Sequence, residues 1–296
     1  MRRKMRRLTV ESLLSLLLVG CLTLSAVENP AIGLAMARGS FLVDSSEVWS
    51  NATLLDGMTI ETARVGSDLR LNAGVRLNLA AESRGTVHRD RMILERGVGE
   101  LKNTTSYWID ARGLRVYSAA PRASARVGFD KDNRVLVAAL NGPVRVTTSQ
   151  GLLVANLTAG KTLVFDPQQA GAAAPTKVTG RLEKRGGRYL VTDETTNVTM
   201  ELVGEGLEQY VGRRIEATGV IDPTAKPAAP ASSLVKITEL KPLSAAGAGA
   251  GAGAGGWAAL SAGAKVAIIG GIGVGAGVGI AAAAGVFEEE KKPVSQ

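Results

Sequence analysis

The stretch Asp68-Leu-Arg-Leu-Asn-Ala-Gly-Val-Arg-Leu-Asn-Leu79 decides the fold class. Leu69 and Leu71, then Val75, Leu77 and Leu79, alternate with Arg70, Asn72, Arg76 and Asn78. Period two is the pattern of a strand with one buried and one solvated face, and Ala73-Gly74 suits the tight turn between two such strands. From Ala31 to Pro167 the pattern recurs in short segments: 91–94, 107–110, 114–117, 123–129, 135–140, 144–147, 152–155 and 162–165. Asp56-Gly57, Gly97, Gly113, Asn141-Gly142, Gly151 and Gly160 punctuate them, and none keeps a helical period for three turns. Many short strands at regular spacing predict an all-β unit: a sandwich, a roll or a short β-solenoid.

The segment 168–175, with Ala170-Gly-Ala-Ala-Ala-Pro175, has the composition of a linker, and a second module covers 176–242. Five strands are predicted there, at 177–184, 188–192, 197–202, 213–221 and 234–240. Gly206-Leu-Glu-Gln-Tyr-Val-Gly212 reads as a short helical segment between the third and fourth, and a Pro-Ala loop, 222–233, separates the fourth from the fifth.

Several blocks of the first unit, in this order, resemble the FecR domain. They are Gly39-Ser-Phe-Leu-Val-Asp44, Leu55-Asp-Gly-Met-Thr-Ile-Glu-Thr62, Gly66-Ser-Asp-Leu-Arg-Leu71, Leu94-Glu-Arg-Gly-Val-Gly99, Leu140-Asn-Gly-Pro-Val-Arg-Val146 and Leu157-Thr-Ala-Gly-Lys161 onward to Phe165. The resemblance covers residues 31–167 and implies a bacterial, extracytoplasmic β-domain. FecR proper carries a cytoplasmic anti-sigma region before its membrane helix. Here only Met1 to about Ser12 would face the cytoplasm on that side, so the resemblance extends to the exported domain alone. The second module is similar to small OB-like domains of bacterial exported proteins, whose five strands place a helix between the third and fourth.

Both ends carry targeting signals. Arg2, Arg3, Lys4, Arg6 and Arg7 precede the apolar run Leu13 to Val19, so 1–27 reads as a signal peptide or an N-terminal anchor. Leu18-Val-Gly-Cys21 has the form of a lipobox, which makes Cys21 a lipidation candidate; a thiol in an uncleaved or conventionally cleaved leader is the alternative. At the other end, 243–264 is a Gly/Ala tether, 265–287 a transmembrane helix and 288–296 a tail. Val266 to Phe287 is 22 residues without a charge, and as a helix it would measure about 33 Å against a hydrocarbon core of about 30 Å. Gly271, Gly275 and Gly279 recur every four positions, a helix-packing face through which the chain would self-associate.

The net charge of +8 suggests a polyanion partner until it is divided along the chain. The first 26 residues hold five cations and one anion, which is half of the excess, and the rest is close to neutral. Nucleic acid is therefore not expected as a partner. Tyr189 and Tyr210, the only aromatics of the second module, read as core residues rather than base-stacking platforms. Cys21 is the only cysteine and His88 the only histidine, so no intrachain disulfide and no multi-histidine zinc site can be assembled. His88 reads as a turn residue. Asp130-Lys-Asp-Asn133 reads as an ordinary turn, with a weak calcium site as the alternative.

Two further motifs mislead. Ala155-Asn-Leu-Thr-Ala-Gly-Lys-Thr162 fits a relaxed phosphate-loop pattern, but it runs into the strand-like Leu163-Val-Phe165 instead of a helix. The run from Lys265 to Ala276 imitates a strand entering a dinucleotide fingerprint, with too little chain after it for a second strand. Asn51, Asn103, Asn156 and Asn197 each begin Asn-x-Thr, which carries no weight in a bacterium. The sequence therefore predicts a non-enzymatic, membrane-anchored envelope protein with its main domains in the periplasm. No catalytic, cofactor or metal residue is expected. Its partners would be the membrane, a second copy through the C-terminal helix, and an envelope protein or polymer as ligand. An extracytoplasmic sensor of FecR-type signalling, without its own anti-sigma region, is the alternative.

Overall fold

A computed structural model of the chain describes residues 30–72, 74–102, 104–168, 175–243, 265–270 and 274–279. The regular elements are all strands, apart from a 3-10 turn at Glu208–Tyr210. No helix among the described residues is long and apolar enough to cross a membrane.

Fifteen strands build the first body. They are β1 (Gly33–Val43), β2 (Ser46–Leu54), β3 (Met58–Thr62), β4 (Ser67–Leu71), β5 (Arg76–Leu79), β6 (Arg84–Val87), β7 (Arg91–Arg96) and β8 (Val98–Lys102). There follow β9 (Trp108–Ala111), β10 (Leu114–Ser118), β11 (Ser124–Phe129), β12 (Val135–Asn141), β13 (Val144–Thr148), β14 (Leu153–Leu157) and β15 (Thr162–Gln168). The hairpin read from 68–79 is β4–β5, with Leu69 opposite Leu77. Its inward Ser67, Leu69, Leu71, Leu77 and Leu79 are buried while Asp68, Arg70 and Arg76 face solvent, as the alternation requires.

Strand β1 belongs to two layers. Gly33 to Ala37 pair with β4, whereas Phe41 to Val43 pair with β3, and the ladder along β2 shifts register between Met36 and Ser40. A bulge of this kind bends a strand. From the bend, one layer continues through β4, β5, β8, β11, β12 and β15, and the other through β3, β6, β7, β9, β10, β13 and β14. Strand β11 lies against β7 and β9, and β8 against β10, which closes the layers on each other. Only β7–β9 runs parallel among these ladders. Stacked parallel coils would be needed for the solenoid alternative, so the two-layer form stands.

Phe41, Leu54, Ile60, Leu69, Leu79, Met92, Leu101, Ile109, Leu114 and Phe165 fill the space between the layers. Each such side chain contributes about 1.5–3 kcal/mol when fully buried. Tyr107 is buried with them, and its hydroxyl donates to the carbonyl of His88 at 3.1 Å.

The second body is a closed five-stranded barrel of β16 (Thr176–Arg185), β17 (Arg188–Thr192), β18 (Thr199–Val203), β19 (Arg214–Asp222) and β20 (Ser233–Pro242). Its order is β16-β17-β18-β20-β19, with β18 and β20 parallel. The strands match the segments read from sequence to within two residues, while the helical segment shrinks to the 3-10 turn at Glu208–Tyr210. Val178, Leu182, Val191, Met200, Leu202, Ile215, Ala217 and Val235 form its interior.

Where a spanning helix was expected over 265–287, the described residues are strands: β21 (Lys265–Gly270) and β22 (Val274–Gly279), paired antiparallel, with β22 also on the edge of β15. Val266, Ile268, Ile269, Val274 and Val278 are β-branched, and each interior glycine weakens a helix by about 1 kcal/mol relative to alanine. The remainder of 265–287, Gly271 included, lies outside the described residues, as do 1–29 with Cys21, the 244–264 part of the tether and the tail 288–296.

Gly97, in the turn from β7 to β8, has φ +79°, and an added Cβ would fall against Ser83 Oγ and 2.5 Å from Ser83 Cα. Gly151 has φ +85° but open space around it. Gly97→Ala should therefore cost about 2–4 kcal/mol and Gly151→Ala about 1 kcal/mol. Denaturant unfolding of the two variants measures the difference, and equal losses would contradict this packing.

Candidate functional site

Alternation puts every second residue of the β7–β9–β10–β13 layer on its outward face. Register then lines those residues up across the strands. Arg91 stands opposite Trp108, Trp108 opposite Tyr117, and Tyr117 opposite Arg145. A second row, two residues along, pairs Ile93 with Asp110, Asp110 with Arg115 and Arg115 with Thr147. Directly opposed side chains in such ladders have Cβ atoms about 4.5–5.5 Å apart, so Trp108 and Tyr117 are neighbours.

The Arg115 guanidinium lies over the Trp108 ring, 5.6 Å from its centroid. This stack hides two N–H donors, Trp108 Nε1 and Arg115 Nε, and neither has a hydrogen-bond partner among the described residues. Burial raises the Asp110 carboxyl above its usual range, although Arg115 and the Gly113 backbone pull in the other direction. Arg91 is held by Asp90 at 3.0 Å, whereas Arg145 is exposed and has no ion pair among the described residues. Beneath the patch, the Tyr107 hydrogen bond pins the turn that carries His88 to Asp90. Burial drives the Tyr107 hydroxyl far above its ordinary pKa, so it remains a donor.

The junction of the two bodies forms a second feature. The backbone N–H of Asn156, on β14, donates to the Thr196 carbonyl at 2.7 Å, and Asn156 Nδ2 donates to the Asn197 carbonyl at 3.1 Å. Asp193 organises that barrel loop: its Oδ1 accepts from the N–H groups of Thr195 and Thr196 and from Thr196 Oγ1, and its Oδ2 from the N–H of Thr179. An otherwise open sheet edge is covered in this way. Beside it, Gln150, Gly151 and Leu152 face Ile221, Asp222, Pro223, Ala225, Pro227, Ser232 and Ser233 across a half-open cleft of about 420 Å³. Glu201 fixes the 222–233 loop by accepting from the Ala228 N–H at 3.0 Å while Arg188 binds both of its oxygens. Lys236, at 2.8 Å, and Thr224 hold the Asp222 carboxyl far below the usual carboxylate range.

Residues singled out by sequence are placed as follows. His88 is a turn residue whose Nδ1 lies 3.4 Å from Asp56 Oδ1. The phosphate-loop look-alike ends β14 and begins β15; the Gly160 N–H is taken by the Ala139 carbonyl and the Lys161 N–H by Thr158. Gly275 and Gly279 lie in β22, opposite Gln168 and Val164 of β15. Tyr189 packs partly on the barrel core, and its hydroxyl donates to Glu208, which also binds Lys184. Among the described residues, no group of three or more His, Cys, Asp or Glu could hold a metal ion. The Trp108–Tyr117–Arg145 row was not identified from sequence, because it exists only through cross-strand register.

No family model matches this chain, and no characterised protein matches it.

The Asp130 turn yields a pH prediction. Asp130 Oδ1 accepts from the N–H groups of Asp132 and Arg134, both at 2.9 Å, and Oδ2 from Arg134 Nε at 2.7 Å. Burial would raise this carboxyl, but the Arg134 contacts and the Asp132 N–H outweigh it and hold the pKa low. A lowered carboxylate adds stability above its unfolded pKa, about 3.9, and loses it as pH falls through the folded value. Asp130→Asn should cost about 1–2 kcal/mol at pH 7, and the cost should shrink below about pH 3.5. Unfolding at pH 7 and pH 2.5, with and without millimolar calcium, measures both points; a calcium-dependent stabilisation would restore the metal alternative.

Proposed function

We propose that this chain is a non-enzymatic cell-envelope protein, exported by its leader, anchored to a membrane, and using an extracytoplasmic FecR-like β-domain for ligand binding or assembly. The observation that carries the reading is the outward face of β7, β9, β10 and β13. Two neighbouring aromatics among three arginines occupy positions that a merely solvated strand would fill with small polar or unpaired charged residues. The row stands on strands whose other face is packed into the buried core, which fixes its spacing for a partner.

The FecR-like assignment draws on the order of the sequence blocks over residues 31–167 and on an all-β, two-layer build. The OB-like assignment of the barrel draws on its strand order, its parallel β18–β20 pair and the 3-10 turn between its third and fourth strands. Export and anchoring draw on five cations before an apolar run and on the 22 uncharged residues from Val266 to Phe287. The hairpin β21–β22 and a helix in lipid are exclusive forms of the C-terminal segment. We favour the helix in the cell, where the bilayer supplies the apolar surroundings this composition suits, with Cys21 as the candidate lipid site at the other end. Sensing of an extracytoplasmic cue is the alternative role for the same domain.

Fractionation of the native host tests the reading. The intact chain should sediment with membranes, resist carbonate extraction, dissolve in detergent, and be cut by protease added to spheroplasts. Recovery of intact protein in the cytosol without detergent would refute it. Altered envelope-stress or metal-uptake transcription on deletion would favour the sensor role instead.

A further inference from the structure

The outward row has the chemistry of a sugar-binding platform. An aromatic ring meets the C–H face of a pyranose by dispersion, while guanidinium and carboxylate groups beside it hydrogen-bond ring hydroxyls in pairs. Trp108 and Tyr117 supply two adjacent rings, and the directly opposed Asp110 and Arg115 supply an acceptor and a donor, respectively, next to them. The row from Arg91 to Arg145 crosses four strands, about 14 Å, so it suits an extended chain rather than a single sugar.

Charge narrows the choice. Asp90 pairs with Arg91 and the Asp110 carboxylate lies opposite Arg115, so the patch is not a polyphosphate site; of its three arginines, Arg145 stands opposite Tyr117 and Asn156, with no acidic partner among the described residues. That pattern complements a polymer that is mostly neutral, with a carboxylate at intervals. The hidden donors at Trp108 Nε1 and Arg115 Nε point the same way, because a ligand rich in acceptor oxygens that parts the stack satisfies both. We propose that the face formed by Arg91, Trp108, Tyr117, Arg145, Asp110 and Arg115 binds an extended polysaccharide whose pyranose rings carry occasional carboxylates.

This inference rests on the envelope-binding reading, and its test is separate from fractionation. Full-length protein in detergent is titrated with three probes: soluble peptidoglycan glycan strands stripped of peptide, chitin oligosaccharides with the same backbone but no carboxylate, and free stem peptides. The glycan strands should bind, the chitin oligosaccharides should bind more weakly, and the peptides should not bind. Tyr117→Ala should weaken the glycan strands about tenfold. Arg145→Glu, at an exposed position, should weaken the glycan strands more than the chitin oligosaccharides and so remove the preference for the carboxylated strands. Melting of each variant is measured alongside, so that loss of fold is told apart from loss of binding. Absence of glycan binding at millimolar concentration, binding of peptides alone, or unchanged binding in both variants would overturn the proposal, whatever compartment the protein occupies.

Discussion

One-sided burial of alternating strands is the constraint on which the rest of this structure depends. Cys21 is the chain's single cysteine, so no intrachain disulfide can hold the layers together. Inward rows such as Leu69, Leu77, Ile109, Leu114 and Phe165 must supply the cohesion by leaving water. Once every second position is committed to that core, the positions between are free to carry other chemistry. Trp108 and Ile109, or Val116 and Tyr117, are chain neighbours with opposite duties.

Strand β1 converts this local rule into a global shape. Because its first half pairs with β4 and its second with β3, one bulged strand sets where the sheet folds over. The same register fixes which outward residues meet. Parallel pairing of β7 with β9 brings Arg91 beside Trp108 although 16 residues separate them. The barrel is joined at the other margin, where Asn156 on β14 bonds to the loop organised by Asp193. An edge that could recruit a foreign strand is thus used internally.

The class of fold and most strands were legible in the sequence, because alternation in 68–79, 114–117 and 213–221 is strong and turn glycines separate the runs. Other strands were not. β2 fully buries only Leu54 and packs Val48 and Ala52 partly on the core, with polar Ser50 between them, so its alternation is weak, and β6 and β8 place Gly85 and Gly99 where an apolar residue would mark the inward row. The spacing of Gly275 and Gly279 could not separate helix from strand, since residues four apart share a face in both. The outward row escaped for a deeper reason: Trp108, Tyr117 and Arg145 come from three strands, and their meeting depends on long-range register that no local pattern encodes. His88 and Asp130 were read as turn residues, and the hydrogen bonds around them agree.

Hydroxyl-radical footprinting of the full-length protein in detergent tests most directly the claim that one parity of β7, β9 and β10 faces the core and the other faces outward. The account predicts modification of Trp108, Tyr117 and Ile93 together with protection of Ile109, Val116 and Met92. Equal modification of both parities along β7, β9 and β10 would contradict it.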